Sequence, residues 1–167
     1  MRRDSPYKIL WLVPIIFAIH NVEELPQMEK WADKVFDERQ VPFLSDLYTF
    51  ESVALAMLLL TITVGVVIYF EYKFRNRVTY VLSLLSVCLL LVNGIVHLVQ
   101  FLIFKQYVPG LISACFLLIP FLSYIFYGLF KSERLTKKQI LVYLTISLVA
   151  MNPIIILFLL VSKLMIH

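Results

Sequence analysis

Charge is what this chain has least of. Of 167 residues, 16% are Asp, Glu, Lys or Arg and 61% are hydrophobic, with a mean hydropathy of +0.88. Soluble domains carry roughly 25% charge and about 45–50% apolar residues. The deficit is also concentrated. Residues 52–70, 78–104, 106–130 and 139–162 contain no charged side chain at all. Each run meets the ~17–25 residues needed to cross a bilayer as a helix. A soluble enzyme is excluded, and so is a disordered chain.

Cysteine is scarce as well. Cys88 and Cys115 both fall inside apolar runs. That excludes a disulfide-stapled secreted fold and makes them small buried hydrophobes. No internal repeat, low-complexity segment or linker is visible. The length leaves room for one domain, residues 1–167.

The N-terminal stretch has a basic start and an apolar run, Ile9–Ile19, like the h-region of a signal peptide. Phe17-Ala18-Ile19-His20 lacks the small-x-small cleavage pattern, so the segment is expected to span. To do so the helix must run through His20, Asn21, Val22, Glu23 and Glu24 to about Leu25. Pro26 is expected to end it, because the residue before proline is steered away from the α region. The expected fold is an all-α integral membrane domain of five transmembrane helices, about 7–25, 50–70, 78–104, 107–130 and 139–163. An odd count offers no simple inverted repeat.

Lys and Arg set the orientation. Arg2, Arg3 and Lys8 precede span 1; Lys73, Arg75 and Arg77 separate spans 2 and 3; Lys131, Arg134, Lys137 and Lys138 separate spans 4 and 5. On the other side are Lys105, Lys163 and a loop in which Lys30, Lys34 and Arg39 are outnumbered by acids. The N-terminus is expected in the cytoplasm and the C-terminus outside, and a chain without targeting features fits a bacterial plasma membrane. The net charge of +4 records this asymmetry. Basic residues scattered through short loops exclude nucleic acid as a partner. The expected partners are the lipid bilayer and a lipid-like substrate, with protein partners left open by the sequence.

Between spans 1 and 2, Met28, Trp31, Ala32, Val35 and Phe36 recur at i, i+3, i+4, i+7 and i+8, with Glu29, Lys30, Asp33, Lys34, Asp37 and Glu38 between them. This is an amphipathic helical stripe bracketed by Pro26 and Pro42. It is expected to form a separate interfacial helix, about 27–40, lying apolar face down on lipid with Trp31 at headgroup level. Such a helix would serve as a connector or a lid.

His20, Glu23 and Glu24 follow at i, i+3 and i+4 on one helix face. Ionisable groups within a span are costly in lipid and mark functional sites. A metal could take His20 and either Glu23 or Glu24 as ligands, leaving the other acid for proton transfer. Further ligands must come from another span. Span 3 offers His97, with Asn93 and Gln100 at i−4 and i+3 as supporting partners and Ser86 continuing the polar stripe. At ~1.5 Å per residue, His20 lies about 18 Å along its span and His97 about 28 Å along its own, both in the outer half. Glu51 reads as a solvated acid at a helix start, and Asn152-Pro153 as a kink. Tyr107-Val108-Pro109-Gly110 forms a tight turn between spans 3 and 4. It puts Tyr107 at the mouth of the site, to meet a headgroup, position an acid or steady developing charge.

His20-Asn21-Val22-Glu23-Glu24 is an HxxEE motif, and His97 and Tyr107-Val108-Pro109-Gly110 match a second histidine and a YxPG motif. Together they resemble the HXXEE-domain family of uncharacterised integral membrane proteins. The resemblance groups His20, Glu23, Glu24, His97 and Tyr107 into one site and implies no reaction.

Three functions compete. The leading expectation is a metal-dependent hydrolase or acyl transferase, zinc first among metals, acting on a lipid or lipid-linked substrate at the outer leaflet. Its metal ligands would be His20, His97 and one glutamate, the other glutamate acting as base with Tyr107 assisting. The second is a metal-independent acid/base isomerase of a hydrophobic substrate. The third is a non-enzymatic lipid-, haem- or ion-binding membrane protein, or a partner subunit whose polar side chains join helices.

Overall fold

The computed structural model describes residues 9–38, 46–131 and 135–166. Arg2, Arg3, Lys8, Arg39, Pro42 and Arg134 of the sequence reading lie outside them. The described residues form α1 (Leu12–Glu38), α2 (Phe50–Phe74), α3 (Arg77–Phe104), α4 (Leu111–Lys131) and α5 (Lys137–Ile166). Residues Ala114–Leu118 of α4 are π-helical.

Four of these, α2 to α5, are long and apolar enough to cross a membrane. Only 17–39% of the residues in their apolar windows are buried inside the protein, which leaves broad apolar faces for lipid. α1 matches them in length, 27 residues or about 40 Å, but charged residues occupy its C-terminal half.

The helix ends follow from local chemistry. Thr49 caps α2, its side chain accepting from the Ser52 amide, and Glu51 in the first turn is exposed, as read from sequence. Arg75, in the left-handed region at φ 49°, ends α2. Asn76 then starts α3 through a reciprocal capping box with Thr79. Two residues suffice to reverse the chain, so α2 and α3 pack antiparallel.

Packing closes a ring. α1 lies against α2 and α4, α4 against α3, α3 against α5, and α5 against α2, while α2 and α3 also touch across the ring. Val13 and Phe17 from α1, Ile68 from α2, Val87 from α3 and Leu122 from α4 share the main core. A second cluster of Val53, Ala56 and Leu159, with Met28 against it, joins α2, α5 and α1 at the other end. α3 and α4 approach most closely at Gly94, where an added Cβ would lie 2.9 Å from Ile119 Cγ1.

Two expectations about α1 are corrected. Pro26 does not end the helix but sits inside it, and the amphipathic stripe is not a separate interfacial helix. An internal proline costs about 3 kcal/mol, and packing beyond it offsets that. Ala32 and Val35 are buried, Trp31 meets Phe104 edge-on at 6.2 Å, and Phe36 packs on Tyr48 at 5.3 Å. The stripe covers protein instead of lipid. Lys34 Nζ adds a 2.7 Å hydrogen bond to Gln106 Oε1. Span 4 begins at Leu111, not at Tyr107, because Gly110 adopts a left-handed φ of +81° just before it. α5 continues through Pro153.

Candidate metal centre

α1 and α3 bring their polar residues together across the ring. His20 is fully buried, and Glu24 and His97 are nearly so. Their rings and carboxylate converge: His20 Nε2 lies 3.4 Å from Glu24 Oε2, and His97 Nε2 lies 3.9 Å from Glu24 Oε1. The two imidazoles meet edge-on with centroids 4.9 Å apart.

Hydrogen bonding defines which atoms face the centre. Ser113 Oγ donates to the Gly110 carbonyl at 3.3 Å and so offers a lone pair to His20 Nδ1 at 2.9 Å. His20 therefore carries its proton on Nδ1 and turns the Nε2 lone pair inward. The Asn93 amide reaches both histidines, Nδ2 lying 3.2 Å from His20 Nε2 and 3.4 Å from His97 Nε2. An amide nitrogen only donates, so the inward nitrogens of both rings act as acceptors. His97 Nδ1 makes no hydrogen bond of good geometry, although the Pro109 backbone lies near the ring.

Three acceptors, two imidazole lone pairs and a carboxylate, thus face one another in a water-poor interior. Such an arrangement calls for a proton or a cation between them. One ligand atom from each of His20, Glu24 and His97 can be chosen with all separations within 4.8 Å. Tetrahedral zinc with ligands at about 2.0–2.1 Å has donor atoms about 3.3–3.4 Å apart. The donor types suit a divalent cation, which would draw the three side chains closer together, and Ser113 supplies the outer hydrogen bond that orients a histidine ligand.

Glu23 points elsewhere. Its Oε1 accepts from the Tyr107 hydroxyl at 2.7 Å and from the Ile112 amide at 3.0 Å, and its Oε2 accepts from the Ser113 amide at 2.6 Å. A carboxylate from α1 thereby satisfies two free amides in the first turn of α4. Burial, and then its bond to Glu23, push the Tyr107 hydroxyl up to about 12, so it stays a donor. Gly110 joins the two motifs at the closest point. A Cβ there would lie 2.7 Å from His20 Cε1 and 3.3 Å from His97 Cε1.

Beside the cluster is a cavity of about 160 Å³. Phe17, Leu60, Val64 and Leu89 line its apolar part; Glu24, His97, Asn93 and Gln100 line its polar part. Neither Glu23 nor Tyr107 is among the described lining residues. Ser86 stands apart, its hydroxyl bonded back to the Leu82 carbonyl of its own helix at 3.0 Å.

Sequence reasoning does not single out two residues that matter here. Ser113 orients His20; its one signal is its position three residues after the YxPG glycine. Asn21 ties α1 to α2 through Thr61 Oγ1 at 3.0 Å and the Met57 carbonyl at 3.4 Å. Glu71 is a further buried acid, but it accepts from Thr79 Oγ1 at 2.6 Å at the far end of α2.

The chain is 24% identical over 126 residues to "Uncharacterized protein YrkK" of Bacillus subtilis (strain 168), covering 75% of this chain and 77% of the relative. No solved structure matches it significantly. Residues 11–125, which include the HxxEE motif, His97 and the YxPG turn, match the family described as "Protein of unknown function with HXXEE motif". The chain belongs to the HXXEE family.

Proposed function

We propose that the protein is a membrane-embedded, metal-dependent hydrolase or acyl transferase, acting on an ester or amide of a lipid or lipid-linked substrate at the outer leaflet. The observation that carries this reading is the meeting of His20, Glu24 and His97 beside a largely apolar cavity that Glu24 and His97 line. In this reading α1 is a fifth span, the N-terminus is cytoplasmic and the C-terminus is outside. The distribution of Lys and Arg supports that orientation, and a relative in Bacillus subtilis supports a bacterial plasma membrane.

His20 and His97 would hold the cation through Nε2, with Glu24 as third ligand. Zinc is the leading candidate, because two imidazoles and a carboxylate with one open position form a familiar catalytic ligand set. A bound cation would polarise a carbonyl and make water more acidic. Glu24, the one carboxylate among the described lining residues, would use its second oxygen to hold a proton. Asn93 positions both imidazoles, and Gln100 faces the substrate. Glu23 and Tyr107 act through the position of α4, since Glu23 is already occupied by three donors.

Elemental analysis of detergent-purified protein tests this. We expect one divalent metal per chain in the wild type and none in His97→Ala, with both proteins eluting as monodisperse species. Absence of metal from wild type loaded with zinc would overturn the proposal. It would favour a metal-free acid/base isomerase, for which the 3.4 Å approach of His20 Nε2 to Glu24 is also suitable.

A further inference from the structure

The lining of the cavity bears on what enters it. Among its described lining residues there is no Lys or Arg, and Glu24 is the one carboxylate. In the metal-free protein a phosphate headgroup would find no fixed cationic side chain there, and a fatty-acid anion would face Glu24. At about 160 Å³ the space is well below the roughly 300 Å³ at the lower end of drug-sized sites. It fits a segment of one chain, not the body of a two-chain lipid.

A second observation concerns hydrogen bonding. Trp31 lines the cavity, its ring held against Phe104, and its Nε1 is buried with no hydrogen-bond partner. An indole N–H can only donate, so its missing partner is an acceptor. Tyr48 lines the same space. Burial, and then the charge of Glu24, push its hydroxyl up to about 12, so it too remains protonated. Trp31 and Tyr48 therefore add neutral donors to a lining without Lys or Arg.

We infer that the cavity takes an uncharged single-chain amphiphile, such as a long-chain ester or amide, whose acceptor oxygen bonds Trp31 Nε1. This deepens the proposed lipid hydrolase or acyl transferase, and the choice of an ester or amide rests on that reading. The binding itself does not require the cation.

The sequence has two tryptophans, so Trp11→Phe leaves Trp31 as the only indole reporter. Chelator-treated Trp11→Phe protein in neutral detergent is titrated with dibrominated stearate methyl ester, dibrominated stearate anion and dibrominated phosphatidylcholine. Bromine quenches indole fluorescence on contact. We expect the methyl ester to quench saturably, to be displaced by unbrominated methyl stearate, and to half-saturate at a mole fraction at least about tenfold below the other two. Binding of tritiated methyl oleate to Trp31→Phe, which keeps the ring but loses the N–H, should weaken about fivefold to tenfold. Tyr124→Phe, at an exposed position, should leave binding unchanged and controls for detergent effects.

Equal or tighter quenching by the anion or the phospholipid overturns the inference, as does unsaturable quenching by the ester. Unchanged oleate binding by Trp31→Phe overturns the role given to the indole. The metal and ester measurements are separate. Ester binding in a protein that takes no metal would remove the catalytic reading alone, and metal binding without ester binding would remove this inference alone.

Discussion

Five consecutive residues of α1 do not share one environment. At 3.6 residues per turn each step rotates the side chain by about 100°. His20 and Glu24, four apart, return to the same face and meet His97. Asn21 turns to Thr61 on α2, Val22 is 73% exposed, and Glu23 turns to the start of α4. The i, i+3, i+4 spacing visible in the sequence placed both glutamates beside His20, but it could not separate them. That choice depends on which neighbours lie either side of α1. The two acids should therefore respond differently to the same change. Glu24→Gln removes a charged ligand and should abolish stoichiometric metal binding. Glu23→Gln should retain the metal at one per chain while weakening hydrogen bonds to a charged group, each worth about 1.5–3 kcal/mol. Thermal unfolding in detergent, beside metal analysis, checks both. Equal metal loss in the two variants would contradict the geometry.

At the scale of the element, α1 carries the main departure from sequence reasoning. The spacing of Met28, Trp31, Ala32, Val35 and Phe36 correctly reads as helical, because side-chain periodicity is local. Two further inferences failed for one reason. Ending the helix at Pro26 and laying the stripe on lipid both assume that no protein covers that face. In the structure Phe104 of α3 and Tyr48 before α2 cover it, and this packing outweighs the local penalty at proline. Ala32, with no exposed surface, provides the test. Ala32→Leu should destabilise the protein by about 1–3 kcal/mol through overpacking. If the stripe lay on lipid or detergent, the same change would be neutral or stabilising. The unfolding midpoint distinguishes these outcomes.

Over the whole molecule, the ring of helices puts His20, Glu24, His97 and the YxPG turn at one end, with the two-residue α2–α3 turn at the opposite end. In the proposed orientation, positive-inside charge turns the candidate metal centre outward. Replacing Cys88 and Cys115 by alanine gives a background for single-cysteine labelling. In intact cells a membrane-impermeant maleimide should label Glu51→Cys, while Lys138→Cys should react only after permeabilisation; both native residues are exposed. The reverse pattern would invert the orientation. Labelling of both without permeabilisation would contradict the topology.

What the sequence determined by itself was the membrane class, the positions of four apolar helices and the set of costly polar residues. Each is a property of composition or of spacing within one segment, and solvation acts on segments directly. Tertiary structure decided the rest. Gly110 must be glycine because its φ is +81° and an added Cβ would lie 2.7 Å from His20 Cε1 on another element. Ser113 matters because α4 starts where its hydroxyl meets His20 Nδ1. Glu24 rather than Glu23 joins His97 because Glu24 faces α3 across the ring while Glu23 faces the start of α4. These are contacts between residues distant in the chain, and only packing brings them together.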